Sequence, residues 1–240
     1  MYKEPHAPTI RQMFSEIAPS YDKANSVLSF GIHLLWKKKL VKMSGAKPGD
    51  RILDCATGTG DLAILFKEQV GSTGHVTGTD FCAEILALAP QKAKAKNLDV
   101  TFETADVTQL PYTDKSFDIS CISFGIRNVD NLQRALDELA RVVRPGGRVM
   151  IMEFGQIQWP VIKQAYSVYS DWILPRLGGL ISGNTKAYKY LNDSAKQFPC
   201  GDEFVQRAMA TGRYSSMTVK PLSLGVAYIY TGIVTDIVKS

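Results

Sequence analysis

The sequence predicts an α/β fold built on a single sheet, with five parallel strands followed by a C-terminal antiparallel hairpin. From residue 51 onward, short apolar runs alternate with longer segments of helical spacing, which is the pattern of βαβ units. Near the C-terminus, two β-rich stretches are separated by too few residues for a helical crossover, so they must pair antiparallel. A chain of 240 residues is long enough for one domain with its own core.

The chain divides into four predicted segments within that single domain. Residues 1–50 precede the first strand, show helical spacing and are predicted to form a helical lid. Residues 51–154 would form a cofactor-binding core, and residues 155–200 a helical substrate cover. Residues 201–240 would supply the last helix and the hairpin. We expect both helical segments to cover the carboxyl edge of the sheet, where open α/β folds bind ligands.

Individual elements follow from apolar runs and turn residues. The predicted strands span Arg51–Cys55, His75–Asp80, 100–106, 117–124 and 148–154, and those of the hairpin span 214–220 and 224–231. The predicted helices between the parallel strands span 62–70, 84–96 and 132–143. An Arg-Pro-Gly-Gly sequence at 144–147 is expected to stop the last of these helices and turn the chain into the fifth strand.

Composition excludes several classes of protein. The chain is 45% hydrophobic and 21% charged, which is typical of a globular protein. Its four cysteines form no CxxC pair and show no metal-ligand spacing, so we expect free thiols in a reducing compartment and no metal site. Residues 1–14 lack the apolar core of a signal peptide, which predicts a cytoplasmic protein. The net charge of +5 permits contact with anionic lipids without requiring it.

The strongest local signal is the loop after the first predicted strand, which reads DCATGTGD. Gly58 and Gly60 allow a sharp turn and a close approach to a ligand, and Thr59 between them can present its hydroxyl and amide. The glycine spacing also fits a dinucleotide fingerprint. Asp54 and Asp61, however, would repel a diphosphate and attract a cationic sulfonium and an amino group. The loop therefore favours S-adenosylmethionine over a dinucleotide.

Acidic residues also end the next two predicted strands. Asp80 ends the second strand, where a carboxylate can bind both ribose hydroxyls. Asp106 ends the third strand, where its carboxylate can accept a hydrogen bond from an adenine amino group beside the backbone of Val107. Each aspartate taken alone could instead be a helix cap or a solvated strand end. Three acidic strand ends in succession predict one adenosyl pocket.

The end of the fourth predicted strand supplies candidates for the reaction itself. Ser123 would border the methionyl part of the cofactor, while Arg127 and Asn128 would face the substrate, their alternative role being that of a polar loop. Arg127 could stabilise negative charge on an acceptor as an oxyanion donor does. The sequence marks no strong base. His33 in the lid segment and a water near Asp22 or Arg127 are the alternatives.

Several motifs resemble those of a known family. The sequences RQMF, IAPSYD and LSFG lie within residues 11–31, ISFGIRN at 122–128, and RPGGR at 144–148, followed by Glu153 and Phe154. Together with the glycine loop, they are similar to the motifs of the menaquinone/ubiquinone biosynthesis C-methyltransferases, in the same order from about residue 9 to at least residue 200. The opening motifs and ISFGIRN are far more specific than the glycine loop.

The resemblance implies a Rossmann-like class I S-adenosylmethionine methyltransferase fold and methylation of a ring carbon of a prenylated quinol, such as demethylmenaquinol. It implies cofactor contacts by Thr59, Asp80, Asp106, Val107 and Ser123. Arg127 and Asn128 would hold the quinol hydroxyls, and Tyr21 and Asp22 would act in a lid. The chain departs from the family pattern in two places. Arg213 and Tyr214 stand in place of the usual phenylalanine, and the closing strand lacks its usual threonine-glycine start. The acceptor could therefore also be a ubiquinone-pathway benzoquinol or another small molecule.

Rival function classes are disfavoured by particular features. Asp54, the hairpin and the lack of a Tyr-x-x-x-Lys pair disfavour a nicotinamide-dependent oxidoreductase. No Asn-Pro-Pro run follows the fourth strand, which disfavours a nucleic-acid methyltransferase, and no nucleic-acid partner is expected. An inactive scaffold in a quinone-synthesis complex is disfavoured by the intact loop and the three strand-end aspartates.

The expected partners are the prenylated quinol and a membrane surface contacted transiently, at the inner membrane face. Residues 34–36 and the aromatic residues of 155–200 could form a tunnel for the prenyl tail, ordinary core packing being the alternative for the aromatics. Lys37, Lys38 and Lys39 would lie near the lipid, with a solvated helix face as the alternative. The oligomeric state is open, a homodimer being one alternative.

Overall fold

The computed structural model describes residues 7–157 and 159–236, so the first six and last four residues of the predicted end segments lie outside it. A seven-stranded sheet has the order β3-β2-β1-β4-β5-β7-β6. The strands are Arg51–Cys55 (β1), His75–Asp80 (β2), Thr101–Thr104 (β3), Phe117–Ser123 (β4), Val143–Phe154 (β5), Tyr214–Leu222 (β6) and Ala227–Val234 (β7). Strands β1 to β5 pair in parallel, and β7 is antiparallel to both β5 and β6. The predicted sheet is confirmed.

Helices lie before, between and after these strands. They are Ala7–Ile17 (α1), Tyr21–Leu28 (α2), Ile32–Ser44 (α3), Asp61–Val70 (α4), Ala83–Leu86 (α5), Ala89–Ala95 (α6), Leu132–Arg141 (α7), Pro160–Val168 (α8), Leu174–Ser182 (α9), Thr185–Gln197 (α10) and Asp202–Met209 (α11). A π-helical turn, Tyr169–Ile173, joins α8 to α9. Within the described ranges, no helix is both long and apolar enough to cross a membrane.

The core has two layers because neighbouring residues of each central strand face opposite sides of the sheet. On one side, Ile52 packs with Leu40 of α3 and Phe66 of α4. On the other side, Leu53 packs in the same cluster as Leu136 of α7 and Phe204 of α11. Both faces of the central strands are thus covered, which explains their continuous apolar sequence.

Two predicted elements are shorter or more broken than expected. The helix predicted at 84–96 is two helices, α5 and α6. Pro90 lies in the first turn of α6 and has no N–H to donate to Leu86, so a continuous helix would lose that bond. Strand β3 ends at Thr104, two residues before the predicted end at Asp106.

The fifth strand begins earlier than predicted and contains the expected turn residues. Helix α7 already ends at Arg141, and Val143 pairs with Phe117 at the start of β5. Residues 144–147 then bulge opposite Asp118, because the next pair is Arg148 with Ile119. The expectation that 144–147 form the helix stop is wrong: they are an irregular part of the strand.

The hairpin link is also shifted from its predicted place. Pro221, predicted to lie in the link, is in β6, where its missing N–H is tolerated because β6 is an edge strand. The chain reverses instead through a 3₁₀ turn, Ser223–Gly225, in which Leu224 has φ 61°.

Candidate functional site

A cavity of about 380 Å³ opens at the carboxyl ends of β1 and β4. Its walls come from the glycine loop, from α1 to α3, and from α8 to α10; Tyr21, His33 and Tyr188 are among the lining residues. A smaller pocket shares Tyr21 and Ser123 with the cavity and extends to Asp80 and Asn128. The two helical segments thus meet over the sheet edge at which acidic strand ends were predicted.

The glycine loop turns between β1 and α4 as expected. The N–H of Gly60 donates to the Thr57 carbonyl at 3.0 Å, and the N–H of Gly58 donates to Asp80 Oδ2 at 2.9 Å. Gly58 has φ 57° and lines the cavity. Gly60 has φ 83°, and a Cβ there would lie 2.9 Å from that of Ala89 and 3.0 Å from the Phe102 ring. Gly60 is therefore required by its backbone angle and by packing, rather than by approach to a ligand.

Asp54 and Asp80 are buried carboxylates at this edge. Asp54 is 1% exposed and accepts hydrogen bonds from the Thr57 hydroxyl at 2.7 Å and the Cys121 thiol at 3.2 Å. Asp80 accepts from the backbone N–H groups of Gly58 and Cys82, each at 2.9 Å. Burial raises the pKa of each carboxyl to about 6, against the hydrogen bonds that lower it. Both groups are ionised at neutral pH at a free-energy cost that a cationic ligand would relieve.

The third acidic strand end does not join the other two. Asp106 is exposed, and its Oδ1 accepts hydrogen bonds from the Thr108 amide at 2.8 Å and the Thr108 hydroxyl at 2.7 Å. Val107 is buried, and neither residue lines the cavity or the smaller pocket. The Asp106 side chain closes its own turn two residues beyond the end of β3, so it is neither a helix cap nor a strand end, the two alternatives that the sequence offers.

Two buried polar atoms beside the cavity lack a hydrogen-bond partner within the described part of the chain. They are Oγ of Ser123 and Nδ2 of Asn128. Ser123 lines both the cavity and the smaller pocket, and Asn128 lines the smaller pocket. The amide oxygen of Asn128 is held by the Tyr190 hydroxyl at 3.1 Å, which fixes the orientation of the side chain. Because unsatisfied buried groups are costly, these two atoms indicate a polar ligand.

Arg127 lines the cavity but is also part of a buried ion pair. Its Nη1 donates to Glu153 Oε1 at 2.8 Å and to the Phe124 carbonyl at 2.6 Å. Glu153 is 1% exposed, and its Oε2 accepts from the Arg127 amide at 3.2 Å. The guanidinium also lies 5.3 Å from the centre of the Phe154 ring. Arg127 is thus held rigidly, and its removal would leave Glu153 as an unpaired buried charge.

A charged network ties the lid helix α2 to the glycine loop. Asp22 accepts from the Thr59 hydroxyl at 2.6 Å and from Lys92 Nζ at 2.7 Å. Lys92 also donates to Asp61 at 2.5 Å, and Lys37 donates to the other oxygen of Asp61 at 2.9 Å. Burial opposes ionisation of Asp61, but Lys37 and Lys92 outweigh it and lower the pKa of its carboxyl to about 2. The side chain of Lys37 is only 14% exposed, so its expected position at a lipid surface is wrong.

Tyr21 places a neutral phenol in the cavity, because burial raises its pKa to about 12.

The aromatic residues of 155–200 divide into two groups. Tyr166, Tyr169, Tyr188 and Tyr190 line the cavity, whereas Trp159 and Trp172 are 63% and 61% exposed. The tyrosines are therefore wall residues and the tryptophans belong to the surface.

Sequence reasoning missed Glu153 and Lys92 as members of the site. Glu153 did carry a signal, because it is an acidic residue that follows four apolar positions near the end of a strand. Lys92 carried none: it lies among other lysines of a surface helix, and only the fold brings it to Asp22, 70 positions away.

Comparison with known proteins gives concordant sequence matches. The chain matches the ubiE/COQ5 methyltransferase family over residues 2–234. It is 59% identical over 230 residues to the ubiquinone/menaquinone biosynthesis C-methyltransferase UbiE of Bdellovibrio bacteriovorus, covering 96% of this chain and 97% of the relative. It is 44% identical over 220 residues to the demethylmenaquinone methyltransferase of Thermus thermophilus, covering 92% and 99%.

A solved structure shares the architecture. The crystal structure of a SAM-dependent methyltransferase from Aquifex aeolicus superimposes with a TM-score of 0.59, over 83% of this chain and 89% of that one. The two sequences are 17% identical, so this likeness concerns the fold alone.

Proposed function

The chain belongs to the ubiE/COQ5 methyltransferase family, and from that premise we propose that it methylates a ring carbon of a prenylated quinol, with demethylmenaquinol as the favoured acceptor. The resemblance seen in the sequence and the expected class I methyltransferase fold are both confirmed. The observation that supports this function most directly is a cavity with an adjoining smaller pocket, which share Tyr21 and Ser123 and together are bordered by two buried carboxylates and two unpartnered polar atoms. A ubiquinone-pathway benzoquinol is the second candidate acceptor, because one curated relative carries both pathway names.

The residues of the pocket fit S-adenosylmethionine better than a dinucleotide. When bound, this cofactor supplies an electrophilic methyl group on a sulfonium. Asp54 would attract its positive charges, and the remaining lone pairs of Asp80 would accept the ribose hydroxyls. Ser123 and Thr59 would border its methionyl part. An adenine contact at Asp106 requires that carboxylate to exchange its bonds to Thr108 for a bond to the base.

Three side chains would hold the acceptor ring. Arg127 can stabilise negative charge as a quinol hydroxyl loses its proton. Asn128 has an unused donor in Nδ2, and Tyr21 presents a phenol that stays protonated at neutral pH. The helical walls would shield the bound ring from water, and the fixed side chains would align the ring carbon with the methyl group, so positioning would supply much of the acceleration.

A methyl-transfer assay tests this assignment. Purified protein receives labelled S-adenosylmethionine with reduced demethylmenaquinone or with its benzoquinol counterpart. Labelled product is expected with the naphthoquinol, at a higher kcat/KM than with the benzoquinol. Labelled product with neither acceptor contradicts the quinol assignment, and tight binding of NAD without binding of S-adenosylhomocysteine contradicts the cofactor assignment.

We propose further that the cavity mouth rests on an anionic membrane surface. Phe30 and Ile32 line the cavity and are 80% and 39% exposed. Leu35 and Leu224 are 64% and 56% exposed, and the Trp36 indole, one residue after Leu35, bonds Ser223 at 3.2 Å. We call Phe30, Ile32, Leu35 and Leu224 the apolar rim. The exposed Lys38 and Lys39 follow on α3 and would attract anionic lipid, while the rim admits the prenyl tail.

Vesicle flotation tests the apolar rim. The wild-type protein is expected to float with vesicles of phosphatidylglycerol and phosphatidylcholine, and the double variant Phe30→Ser/Leu35→Ser is expected to stay in solution. Leu180→Ser is the matched control, because Leu180 is 85% exposed but does not line the cavity. Equal flotation of all three proteins, or of none, contradicts the proposal. Light scattering on the same proteins without vesicles reports whether the protein is a homodimer.

A further inference from the structure

His33 is a buried histidine of α3 whose side chain lines the cavity. Building on the proposed function, we propose that Nε2 of His33 is the base that accepts the hydroxyl proton of the quinol. The sequence offers His33 or a water near Asp22 or Arg127 as the base, and the hydrogen bonds of the structure separate these alternatives.

The tautomer of His33 follows from one short chain of hydrogen bonds. The Ser29 hydroxyl donates to the Asn25 carbonyl at 2.7 Å, and this uses its only hydrogen. Nδ1 of His33 lies 2.6 Å from the same Ser29 oxygen. The hydrogen between them must therefore come from Nδ1, since two lone pairs cannot face each other at that distance. A neutral ring with Nδ1 protonated carries its lone pair on Nε2.

Nε2 is available to a ligand. Within the described part of the chain, Nε2 forms no hydrogen bond. The fully buried side-chain atoms without a partner are Ser123 Oγ and Asn128 Nδ2, so Nε2 is not fully buried. The ring therefore presents an open acceptor while Ser29 fixes its orientation. This arrangement, with one nitrogen held and the other open, is the one that general bases use.

The charges around His33 keep it neutral. Burial lowers the pKa of the imidazole to about 4, Lys37 and Lys92 act in the same direction, and Asp61 and Asp22 oppose it. The ring is therefore in its basic form at neutral pH. A phenolate forming against Nε2 would favour the imidazolium, because opposite charges attract more strongly in a partly buried cavity than in bulk water.

The alternative bases are already engaged. Asp22 is ion-paired with Lys92 and also accepts a bond from Thr59, so protonating it would cost that ion pair. Asp54 accepts bonds from Thr57 and Cys121, and the positive charge of the proposed cofactor would favour its ionised form. A water beside Arg127 would need a base to take its proton, and the carboxylate there, Glu153, is already ion-paired with Arg127.

The proton and electron balance of the step is simple. The quinol O–H bond breaks and its proton goes to Nε2, as the ring carbon forms a bond to the methyl group. The carbon–sulfur bond breaks with its electron pair on sulfur, which becomes a neutral thioether. The ring carbon then loses its hydrogen to water as aromaticity returns, and the imidazolium gives its proton back to the ring oxygen.

Chemical rescue tests the proposal. His33→Ala is expected to lower kcat about 100- to 1,000-fold, a range typical of a lost general base, and to change the Kd of S-adenosylhomocysteine less than about threefold. Added imidazole is expected to restore part of kcat. The matched control is His75→Ala, because His75 is exposed at the start of β2. A variant with kcat near wild type, or an inactive one that imidazole does not rescue, overturns the proposal.

A second measurement does not depend on turnover. Nitrogen-15 NMR of the wild-type protein is expected to show His33 with Nδ1 protonated, Nε2 unprotonated and no charging above pH 5. Ser29→Ala is expected to allow both tautomers. A His33 resonance protonated at Nε2 refutes the base assignment. Failure of the wild-type protein to methylate any quinol refutes the proposed function instead, so the two failures are distinguishable.

Discussion

At the scale of single residues, Glu153 has the clearest energetic role. Its carboxylate accepts hydrogen bonds from the Arg127 guanidinium at 2.8 Å and from two backbone amides, those of Arg127 and Phe154. Glu153→Gln keeps the size of the side chain but leaves the buried guanidinium without its counter-charge. We expect a loss of about 3–5 kcal/mol in the free energy of unfolding, measured by urea denaturation.

The surface pair of Glu203 and Arg207 provides the comparison for this variant. It has the same chemistry, with a nitrogen–oxygen distance of 2.9 Å and side chains 60% and 44% exposed. Glu203→Gln should change stability by less than about 0.5 kcal/mol. Equal effects of the two substitutions on the free energy of unfolding would show that burial of the Arg127–Glu153 pair adds nothing to the effect of losing the pair.

Residues with a local signal could be predicted from the sequence, and those with distant partners could not. Asp54 and Asp80 lie at the carboxyl ends of buried strands, so their meeting at one sheet edge follows from parallel pairing. Asp106 has the same signal, but β3 ends early and the side chain bonds its own turn. The partner of Arg127 was not foreseeable, because only the pairing of β4 with β5 brings Glu153 beside it.

At the scale of elements, the attachment of α2 depends on Lys92. This side chain joins Asp22 of α2 to Asp61 at the start of α4, and it is 32% exposed. Pairs this exposed contribute little to global stability, about 1 kcal/mol or less. Lys92→Met is therefore expected to leave the urea midpoint nearly unchanged and to speed amide hydrogen exchange in residues 21–28 several-fold.

The control for this element is Lys96→Met. Lys96 follows the same helix and pairs with Glu68 at 2.7 Å, away from α2. In Lys96→Met, the rate of amide hydrogen exchange in residues 21–28 should match that of the wild-type protein. Faster exchange in both variants, or in neither, would mean that Lys92 does not hold the lid helix.

Elements were predicted well where periodicity and burial agree. Strands β1 and β2 have their predicted bounds because apolar runs end sharply at polar turns. The differences lie at turn residues. Pro90 divides an otherwise helical pattern into two helices, whereas residues 144–147, whose sequence predicts a helix stop, form a bulge of β5 opposite Asp118.

At the scale of the whole molecule, the buried carboxyl of Asp54 makes stability depend on pH. Its pKa is about 6 in the folded protein, through burial, and 3.8 is the ordinary value. A raised folded pKa means that the stabilising contribution is complete below the unfolded value and is lost as pH rises through the folded value. The loss amounts to about 2 kcal/mol between pH 4 and pH 7.

Replacing Asp54 with asparagine removes that loss. Relative to the wild-type protein, Asp54→Asn should gain about 2 kcal/mol in free energy of unfolding as pH rises from 4 to 7, measured by urea denaturation at each pH. The control is Asp99→Asn, at an exposed site, whose free energy of unfolding should differ from that of the wild-type protein by the same amount at each pH.

A cationic cofactor should reverse the effect of Asp54 on stability, because it favours the ionised carboxylate. Saturating S-adenosylmethionine should therefore stabilise the wild-type protein more than Asp54→Asn at pH 7, and equal stabilisation of both would mean that Asp54 does not contact the cofactor.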